Sequence, residues 1–252
     1  MVFRVKGKHM RIGIRGHDVP AESPEALCQK LQQLGVNEIQ LVAHKSFPDF
    51  QYTERGVRAL ADVFNQYGIS VAVYGCYIDP LTEAGRLRFL EHITYAKILN
   101  AGAIATESAV GITDLQEDEM VYGQLVDVFK EFAACAEEQG VRMAIETVAV
   151  HPICSPEKTK GLLQDVNSDN FHVILDPVNL MKYENDPMFE EYTRKAISLY
   201  GDKIIAVHWK HSEIIDKNPA IAFLQATASA VLITEGLTGE TLDNLVDQIK
   251  SM

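Results

Sequence analysis

Eight short runs of β-branched and apolar residues recur along the chain, starting roughly every thirty residues, and nothing else in the sequence restricts the fold so strongly. They are RIGIRG (11–16), EIQLVA (38–43), ISVAVYG (69–75), AIATES (103–108), RMAIET (142–147), FHVILD (171–176), IIAVHW (204–209) and VLITEG (231–236). Longer amphipathic stretches separate them, among them SPEALCQKLQQLG, ERGVRALADVFNQYG and MVYGQLVDVFKEFAACAEEQG. In the first of these, Leu27, Leu31 and Leu34 fall at i, i+4 and i+7, the spacing of one helix face. Ser23 ahead of Pro24 and Glu25 supplies an N-cap, a proline at N1 and an acid in the first turn, while Gly35, Gly68 and Gly140 stop their helices just before the next strand.

Strict alternation of strand and helix implies a parallel sheet covered by helices, and strands apolar on both faces agree with it. Eight units in 252 residues fit a closed α/β (β/α)8 TIM barrel. The alternative, an open doubly wound sheet, normally carries a glycine-rich phosphate turn after its first strand, and RIGIRGHDVP has none. No linker or low-complexity segment divides the chain. The expected organisation is a short basic arm over residues 1–10 and one barrel over residues 11–252. Residues 178–192 and 210–222 are the most loop-like stretches.

The formal net charge of −12 narrows the partners. Nucleic acid and anionic membrane surfaces both call for a cationic face, so neither is expected, although a local basic pocket remains able to bind a small anion. No apolar run approaches the length needed to span a bilayer, and MVFRVKGKHM lacks the hydrophobic segment of a secretory signal. Cys28, Cys76, Cys135 and Cys154 are scattered without CxxC spacing, which suits reduced, buried thiols. A cytoplasmic location and a small-molecule partner are the expectation, with homo-oligomerisation left open.

In a (β/α)8 barrel the active site lies at the C-terminal ends of the strands. The fifth to eighth strands end in Glu146, Asp176, His208 and Glu235, separated by 30, 32 and 27 residues, one βα unit each. Singly, each has a plain explanation: a strand-end acid caps a helix, and a histidine between Val207 and Trp209 is a hydrogen-bonded core residue. Together they do not. Three carboxylates at one mouth repel one another and raise each other's pKa unless a cation neutralises them. Three oxygen donors and one imidazole suit a divalent ion such as Mn²⁺, Mg²⁺ or Co²⁺, with Zn²⁺ a further candidate.

The segments AIETVAVHPI, VILDPVNL, VHWK and ITEG, with GIRGHD after the first strand and GCYIDP after the third, resemble the sugar phosphate isomerase/epimerase group of xylose isomerase-like TIM barrels (AP endonuclease 2 superfamily). That group also includes ketose 3-epimerases, inosose dehydratase and, more distantly, endonuclease IV. The resemblance covers nearly the whole chain. It implies that Glu146, Asp176, His208 and Glu235 ligate a single metal, and that Glu146 and Glu235 double as acid and base. The implied reaction is epimerisation or isomerisation of a ketose or sugar phosphate through a metal-stabilised enediolate. A dehydratase-like lyase and a non-catalytic sugar- or metal-binding barrel are the alternatives.

Around this set, His151, Glu107, Lys210 and His17 are candidate substrate-binding residues, each with a plainer role as surface histidine, helix cap or partner of a nearby acid. Lys45 stands on the same rim. Trp209 is expected to pack outward, and Tyr74 and Tyr77 to pack in the core. Two departures from the family pattern stand out. His211 occupies the place of the acid in the usual His-x-Lys-Asp, and the stretch between the seventh and eighth strands is short. Asn179, three residues after Asp176, stands where the endonuclease IV branch needs a histidine.

Overall fold

The computed structural model describes residues 2–5, 8–181, 188–211, 218–227 and 229–251. Eight parallel strands close into a barrel: β2 (Lys8–Arg15), β3 (Glu38–Leu41), β4 (Ser70–Gly75), β5 (Ile104–Thr106), β6 (Met143–Glu146), β7 (Phe171–Leu175), β8 (Ile204–Trp209) and β9 (Val231–Thr234). Closure is made by β2 and β9, with Arg11 to Ile14 in register with Val231 to Thr234. Each strand lies within three residues of the bounds expected from the sequence. Ahead of the barrel, β1 (Val2–Val5) pairs antiparallel with Lys8 to Arg11, so the first barrel strand begins before Arg11 and forms a ribbon with residues expected as a plain arm.

The helices between strands begin and end on the residues that cap them. Ser23 Oγ accepts from the Ala26 amide to open α1 (Pro24–Gln33). The four-residue α2 (Ala43–Ser46) follows β3 directly. Thr53, Thr82, Asp118 and Ser155 cap α3 (Glu54–Tyr67), α4 (Glu83–Ile98), α5 (Glu119–Gln139) and α6 (Pro156–Val166) in the same way. Gly68 and Gly140, at φ +67° and +71°, end α3 and α5 in the left-handed region where a side chain would be strained. The outer ring is completed by α7 (Phe189–Tyr200), α8 (Pro219–Ala226) and α9 (Gly239–Ser251). The eight-residue α8 accounts for the shortness expected between the last two strands; residues 212–217 of that stretch lie outside the described residues.

Two apolar layers hold the barrel. Inside it, small and branched residues fill the lumen, among them Ala72, Ala103, Ala105, Ala144, Ile174 and Ile233. Gly13 belongs to this packing, because a Cβ there would stand 2.7 Å from Ile233 Cδ1. Outside it, larger residues such as Leu27, Phe89, Phe129, Phe132, Phe171 and Trp209 are buried between strands and helices. Trp209 thus packs outward as expected. Cys28, Cys76 and Cys154 are buried free thiols, and Cys135 is half-buried. Among the described residues, no helix is long and apolar enough to cross a membrane.

Candidate metal centre and active-site mouth

Glu146 is the last residue of β6, Asp176 follows β7, His208 is the penultimate residue of β8 and Glu235 follows β9. Parallel strands in register bring these ends to one level of the barrel. One ligand atom from each of the four side chains lies within 4.8 Å of the others. His208 Nδ1 stands 2.9 Å from Glu235 Oε2, 3.3 Å from Glu146 Oε1 and 3.5 Å from Asp176 Oδ2. Glu146, Asp176 and His208 are buried, and Glu235 is partly open to the mouth.

Local geometry fixes each group. Pro177 has no amide hydrogen, so Asp176 Oδ1 accepts instead from the amides of Val178 and Asn179, at 2.9 and 3.0 Å. That turn commits one oxygen and leaves Oδ2 facing the centre. Asn179 Nδ2 reaches back to Glu146 Oε1 at 2.6 Å, while its Oδ1 accepts from Lys210 Nζ at 2.8 Å. Lys210 also lies 2.8 Å from Asp176 Oδ2 and 3.3 Å from Glu235 Oε1. On the far side, Arg15 contacts Glu235 Oε1 at 2.5 Å and grips Asp18 through two 2.9 Å hydrogen bonds. Asp18 Oδ2 in turn accepts from the Gly236 amide at 2.7 Å, tying the first barrel strand's end to the last. Tyr77 donates to Glu146 Oε2 at 3.3 Å and accepts from Gln40 Nε2 at 2.7 Å.

The charges in this cluster sustain one another. Burial alone would drive the His208 proton off, but Glu146, Asp176 and Glu235 outweigh it and hold the imidazole well above its ordinary pKa. Burial likewise opposes ionisation of Glu235, yet His208, Lys210 and Arg15 keep it below the usual carboxylate range. His208 and Lys210 do the same for Asp176. Glu107, just after β5, contacts no lysine or arginine among the described residues, and burial with the nearby Glu146 charge, only partly offset by Lys45 and His208, pushes it up to about 8.

These residues fit a divalent cation. His208 Nδ1 faces three carboxylates, but neither ring nitrogen of His208 has a well-aligned hydrogen-bond partner among the described residues, and Asp176 Oδ2 has only the ion contacts with Lys210 and His208 there. A buried imidazole whose proton stands among three carboxylate oxygens without a well-aligned acceptor suits a site where a cation takes the proton's place better than a finished hydrogen-bond network.

A cavity of about 370 Å³ opens over Glu146 and Glu235. His17, Lys45 and Glu107 line it, all on the rim expected from the sequence. Of the other candidate substrate contacts, His151 is buried, not a surface residue, with Nδ1 3.6 Å from Glu107 Oε2. Lys210 takes the nearby-acid role. His211, in place of the family acid, packs edge-on against Trp209 and Phe189. Arg15, Gln40, Tyr77 and Asn179 also line the cavity and were not expected there. Arg15 and Tyr77 lie in GIRGHD and GCYIDP, the segments that carry the family resemblance, so their position was the available signal. Tyr74, by contrast, packs against His92 as a core residue.

The family model for xylose isomerase-like TIM barrels matches residues 28–227. The chain belongs to that family. No curated protein sequence matches it. Among solved structures sharing the family's barrel, the 3-keto-D-glucoside 4-epimerase YcjR of E. coli superposes with a TM-score of 0.75 at 12% identity, over 96% of this chain and all of that one. The IOLI protein with a zinc atom bound gives 0.72 at 17% identity, over 96% and 95%. D-psicose 3-epimerase of Clostridium cellulolyticum H10, in complex with D-tagatose, gives 0.69 at 15% identity, over 95% and 90%. At these identities the likeness is one of fold.

Proposed function

We propose that this xylose isomerase-like barrel is a divalent-metal-dependent epimerase or isomerase of a small carbohydrate, working by proton transfer at a carbon next to a carbonyl. The observation that carries the reading is the placement of Glu146 and Glu235: both line one cavity, from opposite ends of the β6–β9 arc, and both contact His208. Glu146, Asp176, His208 and Glu235 would hold the ion. When bound, a divalent ion supplies Lewis-acid polarisation of the carbonyl and charge to offset the anion that grows during deprotonation.

The side chains divide the remaining work. One of Glu146 and Glu235 removes the proton and the other returns one from the opposite face, which inverts the carbon; return to the neighbouring carbon gives aldose–ketose isomerisation. Tyr77 and Asn179 each hold one oxygen of Glu146, and Arg15 holds Glu235, so both carboxylates keep their aim while the substrate is bound. Glu107 and His17 are placed to contact substrate hydroxyls at the other side of the cavity. The epimerase names of similar structures support this class of substrate.

The test is solvent deuterium incorporation by the Mn²⁺-loaded protein across a panel of ketoses, aldoses and inososes. Exchange at a carbon adjacent to the carbonyl is the expected result. Loss of water from an inosose without net epimerisation would reassign the protein as a lyase, and absence of exchange across the panel would leave a binding barrel.

A further inference from the structure

We infer that the substrate carries a negatively charged terminal group, phosphate or carboxylate, received by Lys45 and His17 at the β2–β3 side of the mouth. This inference rests on the carbohydrate-isomerase reading above and adds the substrate's charge to it.

The mouth has two electrostatic sides. The β6–β9 arc carries the acids, and its cations are consumed there: Lys210 by Asp176 and Glu235, Arg15 by Asp18 and Glu235. Lys45 on α2 is different. Its side chain is exposed, it makes no ion pair among the described residues, and its only close neighbour of note is the Tyr77 ring, 5.7 Å from Nζ. An ammonium over an aromatic face is held without being neutralised. Next to it, His17 Nδ1 and Ser46 Oγ are buried with no hydrogen-bond partner. Uncommitted buried polar atoms beside an unpaired cation mark a place prepared for a polar ligand.

Space continues in that direction. A second cavity, of about 620 Å³, shares His17 and Lys45 with the first as lining residues, and Ser46, Lys30 and Glu22 also line it. A carbohydrate with its reacting carbons between Glu146 and Glu235 would therefore extend its tail between His17 and Lys45. Burial lowers His17, Arg15 and Lys45 lower it further and Asp18 and Glu235 partly offset them, while His44 is lowered by burial, Arg88 and Lys45. His17, brought down to about 4, is neutral at physiological pH and acts as a hydrogen-bond donor, leaving the charge to Lys45. Glu107 lines the same cavity, and with its pKa raised to about 8 it is largely protonated at neutral pH and does not repel an incoming anion.

Two measurements on the Mn²⁺-loaded full chain test this. In the first, inorganic phosphate is titrated calorimetrically into wild type, Lys45→Met, Lys45→Arg and Glu107→Gln. Lys45→Met should weaken binding at least tenfold, Lys45→Arg should retain it and Glu107→Gln, which replaces a protonated acid with a neutral amide, should bind phosphate as wild type does; a phosphate signal unchanged in Lys45→Met, or absent from wild type, overturns the inference. In the second, deuterium exchange is compared for D-xylulose 5-phosphate, D-fructuronate and D-xylulose. A preference of at least tenfold in kcat/KM for either charged sugar, lost in Lys45→Met, supports the inference and names which anion is used. Equal exchange with D-xylulose overturns the charged substrate and leaves the isomerase reading standing. Lys45-dependent phosphate binding without exchange in any sugar would do the reverse.

Discussion

Asn179 Nδ2 donates a 2.6 Å hydrogen bond to Glu146 Oε1, joining the turn after β7 to the end of β6. The bond directs one Glu146 oxygen while Tyr77 directs the other, so Glu146 is held in place without being neutralised by a contacting lysine or arginine.

Glu146→Gln keeps the shape of this arrangement, because the amide oxygen can still accept from Asn179. Proton transfer, in contrast, is lost. We expect deuterium exchange to fall by about 10³-fold or more, in line with removal of the proposed general base and ligand. Thermal unfolding should move by only a few degrees. Retained exchange would reassign the base.

Lys210 predicts a change in metal affinity. Its ammonium contacts Asp176 and Glu235, the same carboxylates that a divalent ion would need, and like charges repel. Replacing it with Met removes the competing charge while keeping the length of the chain. Mn²⁺ should then bind about tenfold more tightly, ~1.4 kcal/mol, as read by electron paramagnetic resonance of free Mn²⁺. Weaker binding would show that Lys210 chiefly orders the carboxylates.

Tyr77 tests the support of Glu146 from the opposite side. Burial, reinforced by the Glu146 charge, holds its hydroxyl well above the usual phenol pKa, so it remains a donor. Tyr77→Phe removes one hydrogen bond to a charged group and should lower kcat about 10- to 100-fold. A change confined to KM would place Tyr77 on the substrate instead.

His92 gives the barrel a pH dependence remote from the site. It is buried, its Nδ1 lies 3.0 Å from the Tyr74 hydroxyl, and burial with the Arg88 charge lowers its pKa to about 4. The unfolded chain takes up this proton near pH 6.5, before the folded one does. Stability from keeping His92 neutral is therefore complete above 6.5 and lost as pH falls through 4. At pH 5 the loss should be about 2 kcal/mol by urea unfolding, and His92→Phe should flatten that part of the profile.

The fold was legible because each level repeated the same message: branched runs, capped amphipathic stretches and glycine stops recur once per unit, and a closed parallel barrel satisfies all of them. The ends of β6 to β9 were legible for the same reason, since strand-end acids and a histidine one unit apart meet only in a barrel. What the sequence did not disclose was the support. Arg15, Gln40, Tyr77 and Asn179 reach the mouth because of side-chain length and turn geometry, and neither leaves a periodic trace. The partners of His151 and Lys210 were hidden likewise, because adjacency across the barrel has no counterpart in chain spacing.

All four clustered acid and imidazole groups come from the second half of the chain, Glu146 to Glu235, whereas His17, Gln40, Lys45, Tyr77 and Glu107 face them from the first half. On the proposed function the reacting groups thereby lie on one length of polypeptide and most of the facing wall on another, with Arg15 and Tyr77 reaching across to hold Glu235 and Glu146. Loops after β2 to β5 can be exchanged or mutated as a block without altering a single member of the acid–imidazole cluster. A barrel divided this way is a natural starting point for changing substrate while the reaction stays fixed, and libraries confined to residues before 110 that spare Arg15, Asp18 and Tyr77 should yield new specificities far more often than dead enzymes.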